Sequence, residues 1–139
     1  MTISGLTNYT AYTISLRAVN SVGDGAASSS VSVTPAATGP TACAGNASGK
    51  HRLQLCWNLV TPSQGSVVLY RATVFSSGTT TKVATCKGSA TDTSCELGRP
   101  LSLAAGTTYD FRVRARIKLA PGQVFWSLYG NTLQVTTLP

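Results

Sequence analysis

Apolar and polar residues alternate with a period of two in one stretch of this chain after another. Residues 52–58 read Arg-Leu-Gln-Leu-Cys-Trp-Asn, which places Leu53, Leu55 and Trp57 on one side of a strand and Cys56 on the other. Residues 111–117 read Phe-Arg-Val-Arg-Ala-Arg-Ile. Phe111, Val113, Ala115 and Ile117 then share one face, and Arg112, Arg114 and Arg116 share the opposite one. Further strands are predicted at 12–20, 30–34, 67–71, 81–85, 91–97 and 133–139, with turns rich in Gly, Ser and Thr between them. The pattern predicts an all-β protein.

One pattern occurs twice. Leu6, Thr10 and Tyr12 lead into Thr13-Ile14-Ser15-Leu16-Arg17-Ala18, and Leu103, Thr107 and Tyr109 lead into Asp110-Phe111-Arg112-Val113-Arg114-Ala115, at a constant offset of 97 (109 − 12). A unit of about a hundred residues is too long for a solenoid repeat and suits a small β-sandwich. The Leu-x-x-x-Thr-x-Tyr spacing reads as a tyrosine corner, in which the phenol reaches back to upstream backbone.

These residues resemble the fibronectin type III domain. Residues 12–25, followed by a Ser-rich strand and Val33-Thr34-Pro35, resemble the closing half of such a domain in bacterial-style secreted proteins. Residues 1–35 are therefore expected to be the C-terminal half of one domain, 36–40 a linker, and 41–139 a complete domain. The missing half amounts to roughly fifty to sixty residues at the usual sandwich size. The chain is expected to be a fragment of a longer protein; a partner chain that completes the fold is the alternative. The resemblance implies an immunoglobulin-like antiparallel sandwich with Trp57 at the core centre, residues 67–71 and 81–85 as third and fourth strands, and 133–139 as the closing strand. Pro35 and Pro139 are offset by 104 (139 − 35) against 97 at the corner, which predicts seven inserted residues before that strand. Insertions of this kind mark loops that can carry function.

Charged residues make up only 11% of the chain, far below the usual quarter. Ser, Thr and Gly supply the polarity, a balance that suits secreted, cell-surface or virion proteins. No apolar run is long enough to span a bilayer as a helix, so membrane insertion is not expected. The first residues lack a basic segment followed by an apolar core, so any export signal would lie outside this sequence. Four cysteines allow three connectivities. Cys43 and Cys56 lie symmetrically about the turn at 48–51, and Cys86 and Cys95 bracket a polar loop, which predicts the pairs Cys43–Cys56 and Cys86–Cys95. Loops of that size contribute roughly 3 kcal/mol each in the chain-entropy model, and the pairing implies an oxidising compartment. A metal site is disfavoured, because no pair is spaced C-x-x-C and His51 is the sole histidine.

Catalytic readings find little to stand on. Asp24, Asp92, Glu96 and Asp110 are scattered, and one histidine in a turn offers no triad. No phosphate loop is present, and no cofactor is expected. The strongest local signal is the arginine stripe beside Phe125-Trp126-Ser127-Leu128-Tyr129. Guanidinium planes stacked on aromatic rings contribute about 0.5–2 kcal/mol per pair. This arrangement resembles the arginine–tryptophan ladder of class I cytokine receptors, whose Trp-Ser-x-Trp-Ser stretch is matched at Trp126-Ser127 and departed from at Tyr129-Gly130. Arg112, Arg114, Arg116, Trp126 and Tyr129 are the candidate partner-binding residues; the plain alternative is a solvated, self-braced sheet face. A net charge of +7 favours acidic glycans, cell-wall polymers or anionic surfaces as partners, beside other protein subunits. Nucleic acid is disfavoured, because neither an aromatic-lined groove nor a recognition helix is evident. Asn8-Tyr9-Thr10 and Asn46-Ala47-Ser48 fit the N-glycosylation pattern, which recurs by chance in such Thr- and Ser-rich chains. The expected function is a non-catalytic extracellular structural or adhesive module of a larger secreted, cell-surface or filament protein. The alternatives are a phage or virion structural or decoration domain, and an accessory module of a secreted polysaccharide-degrading enzyme.

Overall fold

The computed structural model describes residues 2–98, 103–120 and 122–139. The chain divides into two compact units, Met1–Ala36 and Ala37–Pro139.

Unit 2 is a sandwich of two antiparallel sheets. One sheet holds β5 (Ala42–Gly49), β6 (Arg52–Trp57) and β9 (Ser94–Leu97), in that order. The other runs β11 (Val124–Trp126), β10 (Thr108–Lys118), β7 (Ser66–Ser76) and β8 (Lys82–Ser89), with β12 (Leu133–Thr136) also paired to β10. Alternation decides which side chains enter. Leu53, Leu55 and Trp57 from the first sheet meet Tyr70, Ala72, Val74, Phe111, Val113, Ala115 and Ile117 from the second, all buried. The Trp57 and Tyr70 rings pack at 5.6 Å. Burying one large side chain stabilises by about 1.5–3 kcal/mol, so this layer holds the two sheets together.

Cys43 lies opposite Cys56 across the β5–β6 pair, and the two are bonded on the outer face of their sheet. The route to that pairing is indirect. The turn centres on Lys50-His51, and a regular hairpin there would put Cys43 opposite Asn58. Two register slips in β5–β6 bring the cysteines opposite each other instead. Cys86 is bonded to Cys95. Cys86 pairs with inward Ala72, and Cys95 with inward Leu55. This bond therefore ties the edge strand β8 to the edge strand β9 and joins the two sheets.

Residues 37–40 are not a free linker. Ala37 and Pro40 are buried, and the Leu128 N–H donates to the Ala37 carbonyl at 3.0 Å. The expected boundary at 36–40 moves accordingly, because residues 37–40 form a seam of unit 2 against 128–130. A Cβ on Gly39 would lie 2.3 Å from the Leu128 carbonyl oxygen. Only glycine permits that approach.

Unit 1 contains β1 (Tyr12–Ile14) paired with β4 (Val31–Val33), and β2 (Val19–Asn20) paired with β3 (Gly23–Asp24). It repeats key bonds at the end of unit 2. The Thr7 N–H donates to the Tyr12 hydroxyl oxygen at 2.9 Å, and the Ala104 N–H to that of Tyr109 at 2.8 Å. Tyr9 has φ 63° where Gly106 has φ 58°. Tyr12 pairs with Val33 as Tyr109 pairs with Val135. Val33 and Val135 are offset by 102 (135 − 33), so the insertion is five residues (102 − 97) rather than the expected seven. The two prolines are not equivalent positions. The extra residues lie between β10 and β11, where unit 1 has only the short β2–β3 turn.

Tyr12, Ile14, Leu16, Val31 and Val33 share one face of unit 1 by strand alternation. Leu16 and Val31 are 56% and 65% exposed. Their counterparts in unit 2, such as Phe111 and Val113, are fully buried under the opposite sheet.

Candidate functional site

The outer face of the β8–β7–β10 sheet is assembled by register. Arg112 lies opposite Thr73, Arg114 opposite Arg71, and Arg116 opposite Leu69; on the far side of β7, Arg71 faces Lys87. Like charges directly opposite across a strand pair destabilise it. The conflict is relieved from the next strand. Trp126 pairs with Arg116 at the end of β11, and the chain then leaves the regular ladder. The Ser127 N–H donates to the Ala115 carbonyl, the Ala115 N–H to Ser127 Oγ, and the Gly130 N–H to the Val113 carbonyl. Ser127 thus substitutes its side chain for a missing backbone acceptor, and the bent segment stays fastened to β10.

The bend places Trp126 and Tyr129 over the sheet three residues apart. The Arg114 guanidinium sits between them, 4.3 Å from the Trp126 ring centre and 5.0 Å from that of Tyr129. A three-residue repeat of extended, polyproline-like chain is about 9 Å, which matches one guanidinium between two rings. Arg71 also lies over the Trp126 ring, 4.6 Å from its centre. The stack continues through Phe75, edge-on to Tyr129 at 6.1 Å, to Arg112, 5.2 Å above the Phe75 ring. Arg71, Trp126, Arg114, Tyr129, Phe75 and Arg112 therefore follow one another in an interleaved column.

Within the column, the Nε atoms of Arg71, Arg112 and Arg114 are buried without a hydrogen-bond partner. The π faces offset that desolvation in part. None of these arginines pairs with a carboxylate; the salt bridge among the described residues joins Arg52 and Glu96 at 3.5 Å on the other sheet. Asp110, two residues before Arg112, feels the charge of that arginine but directs its hydrogen bonds elsewhere. It accepts the Gly78 N–H at 2.9 Å, and Ser77 and Gln134 also donate to it. These bonds, the Gly78 amide foremost, hold its pKa below the usual carboxylate value against the opposing effect of desolvation.

The five sequence-predicted residues thus part company. Arg112, Arg114, Trp126 and Tyr129 belong to the column, whereas Arg116 is exposed and lies outside it. Arg71 and Phe75, which the sequence pattern does not single out, also belong to it. The period-two pattern of β7 puts Arg71 and Phe75 on one face, but only the β7–β10 register brings that face beside Arg112 and Arg114. The remaining candidates for chemistry stay dispersed. Asp92 accepts the Ser89 N–H in a turn, Glu96 meets Arg52 and Ser48, and His51 Nδ1 lies 2.6 Å from the Leu103 carbonyl oxygen. No cluster of three potential metal ligands occurs among the described residues.

Unit 1 carries the same backbone bend without the column. The Gly25 N–H donates to the Ala18 carbonyl and the Ser28 N–H to the Leu16 carbonyl, the counterparts of the Ser127 and Gly130 bonds. Asp24 and Ala27 stand where unit 2 has Trp126 and Tyr129. The bend therefore belongs to the fold, and the column is an addition of unit 2.

Two sheets of this order, a tyrosine corner and a bent closing strand define an immunoglobulin-like sandwich of the fibronectin type III kind. Comparison with solved structures agrees. The chain is similar to the chicken CNTN1 FN1-FN3 domains, with 21% identity, a TM-score of 0.57, and coverage of 97% of this chain and 45% of that one. It is also similar to domains d3-d4 of the rat CD45 extracellular region, with 18% identity, a TM-score of 0.51, and coverage of 99% and 68%. The chain thus spans less than half the length of the CNTN1 structure. No known family profile and no curated protein sequence matches it.

Proposed function

We propose that this chain is a non-catalytic extracellular module of a larger secreted, cell-surface or filament protein, where it spaces domains and presents the basic aromatic face of unit 2 to a partner. The partner is another protein subunit or an acidic surface polymer. The observation that carries this reading is the column itself: a sheet face covered by its own interleaved arginines and rings, none of them in an ion pair among the described residues. The two disulfides support an oxidising compartment, and the solved structures of similar fold include an extracellular region. We read residues 1–35 as the closing half of a second such domain, because the hydrogen bonds of the corner and the bend repeat those of unit 2 while Leu16 and Val31 are open.

The test is surface labelling of intact producing cells or particles with a membrane-impermeant amine reagent, followed by non-reducing peptide mapping. Labelled Lys87 and Lys118, with Cys43–Cys56 and Cys86–Cys95 bridged, is the expected result. Free thiols throughout and no labelling would refute an extracellular module.

A further inference from the structure

The outer face of unit 2 is a rail as well as a column. Arg112, Arg114, Arg116 and Lys118 follow one another at every second position of β10, a spacing of about 6.8 Å and a run of about 20 Å. Arg71 and Lys87 extend the charge sideways across β7 and β8, at steps of about 4.8 Å. Arg116 and Lys118 are exposed, while Arg71, Arg112 and Arg114 are held in place by rings. A braced guanidinium has already lost much of its side-chain freedom, so less entropy is lost when its outer N–H groups bind an anion.

What the rail lacks narrows the partner. Arg71 and Arg114 both lie over the Trp126 ring and Arg114 also lies over that of Tyr129, so neither ring is an open platform for the base stacking on which single-stranded nucleic acid binding relies. Phe75 is 8% exposed, and between Trp126 and Tyr129 the exposed apolar side chain is Leu128, at 58%; leucine is under-represented among the residues that dominate protein–protein interfaces. Charge and directional N–H donors remain. They suit a linear chain with anionic groups at regular intervals and little apolar surface.

Building on the module reading above, we propose that this face binds a sulfated or carboxylated polysaccharide laid along β10, with its anionic groups met by Arg112, Arg114, Arg116 and Lys118 and steadied by Arg71 and Lys87.

The experiment uses the full 139-residue chain, with heparin and polygalacturonate as acidic polysaccharide probes and neutral dextran, poly-L-glutamate and duplex DNA as comparisons of matched length. At low salt an acidic polysaccharide should bind and dextran should not. Affinity should fall at least about tenfold between roughly 50 and 200 mM salt as counterions are released. Arg116→Ser with Lys118→Ser removes two charges outside the column, so the fold is retained, and affinity should fall by a further factor of about ten. Lys50→Ser with Arg52→Ser removes two charges from the β5–β6 hairpin of the opposite sheet and should change affinity less than about twofold.

Equal losses from the two double variants would reduce the effect to net charge and overturn the site. Tighter binding of DNA or poly-L-glutamate than of either polysaccharide would overturn the glycan assignment. If poly-L-glutamate alone binds, the partner is an acidic protein, the glycan assignment falls and the module reading stands. If no acidic probe binds, the assignment also falls, and the module reading is judged by the labelling experiment.

Discussion

Trp126 packs against both arginines that the β7–β10 register sets opposite each other, Arg71 and Arg114. Trp126→Ala should therefore cost about 1–3 kcal/mol, from lost cation–π contact and lost apolar cover, measured as a lower midpoint in chemical denaturation. Arg116→Ala should leave stability within about 0.5 kcal/mol, since Arg116 stands outside the column. Asp110 supplies the acid-sensitive contact. Its folded pKa lies below the unfolded value, so its contribution is complete above the ordinary carboxylate range and is lost as pH falls through the folded pKa. Thermal midpoints followed from about pH 6 to pH 2 should fall more steeply in the native chain than in Asp110→Asn. At this scale the sequence shows which residues share a face of one strand, so the arginine stripe was legible. Arg71 and Phe75 were not, because membership in the column depends on the register between strands far apart in the chain.

At the level of elements, the closing segment of unit 2 is held from two sides. β10 supplies the acceptors for Ser127 and Gly130, while residues 37–40 press from the other side. A Cβ on Gly130 would lie within 1.8 Å of the Pro40 carbonyl oxygen. Gly130→Ala should therefore lower unfolding free energy by more than about 3 kcal/mol, through backbone displacement and loss of the seam. The disulfides stabilise different things. Opening Cys43–Cys56 loosens one hairpin, whereas opening Cys86–Cys95 frees two edge strands from each other. The symmetric spacing of Cys43 and Cys56 was legible, although the pairing depends on two slips that spacing does not disclose. The insertion is five residues, where the prolines suggest seven, for a related reason. Pro35 and Pro139 look alike in sequence, but the pairing of each strand with its tyrosine corner makes Val33 and Val135 the equivalent pair.

For the whole molecule, the internal repeat and the two-sheet layer architecture were legible, because alternation and the corner motif are local. The extent of unit 2 was not, since residues 37–40 look like a linker until their seam with 128–130 is seen. Unit 2 should unfold in one cooperative transition as residues 37–139, with its core layer intact. A peptide of residues 1–38 should show no cooperative thermal transition as a monomer, because Ile14, Leu16, Val31 and Val33 lack a covering sheet. Circular dichroism with sedimentation on both pieces checks the pair of expectations.

The interleaved column is the feature that sets unit 2 apart from unit 1, and a double-mutant cycle between Trp126 and Arg114 tests it most directly. Trp126→Ala, Arg114→Ala and the combined variant are compared with the native chain by equilibrium denaturation. Residues in direct contact are non-additive, so the account predicts a coupling energy of about 0.5–2 kcal/mol between them. Coupling indistinguishable from zero would contradict it, and would leave the arginines as independent charges on an ordinary sheet face.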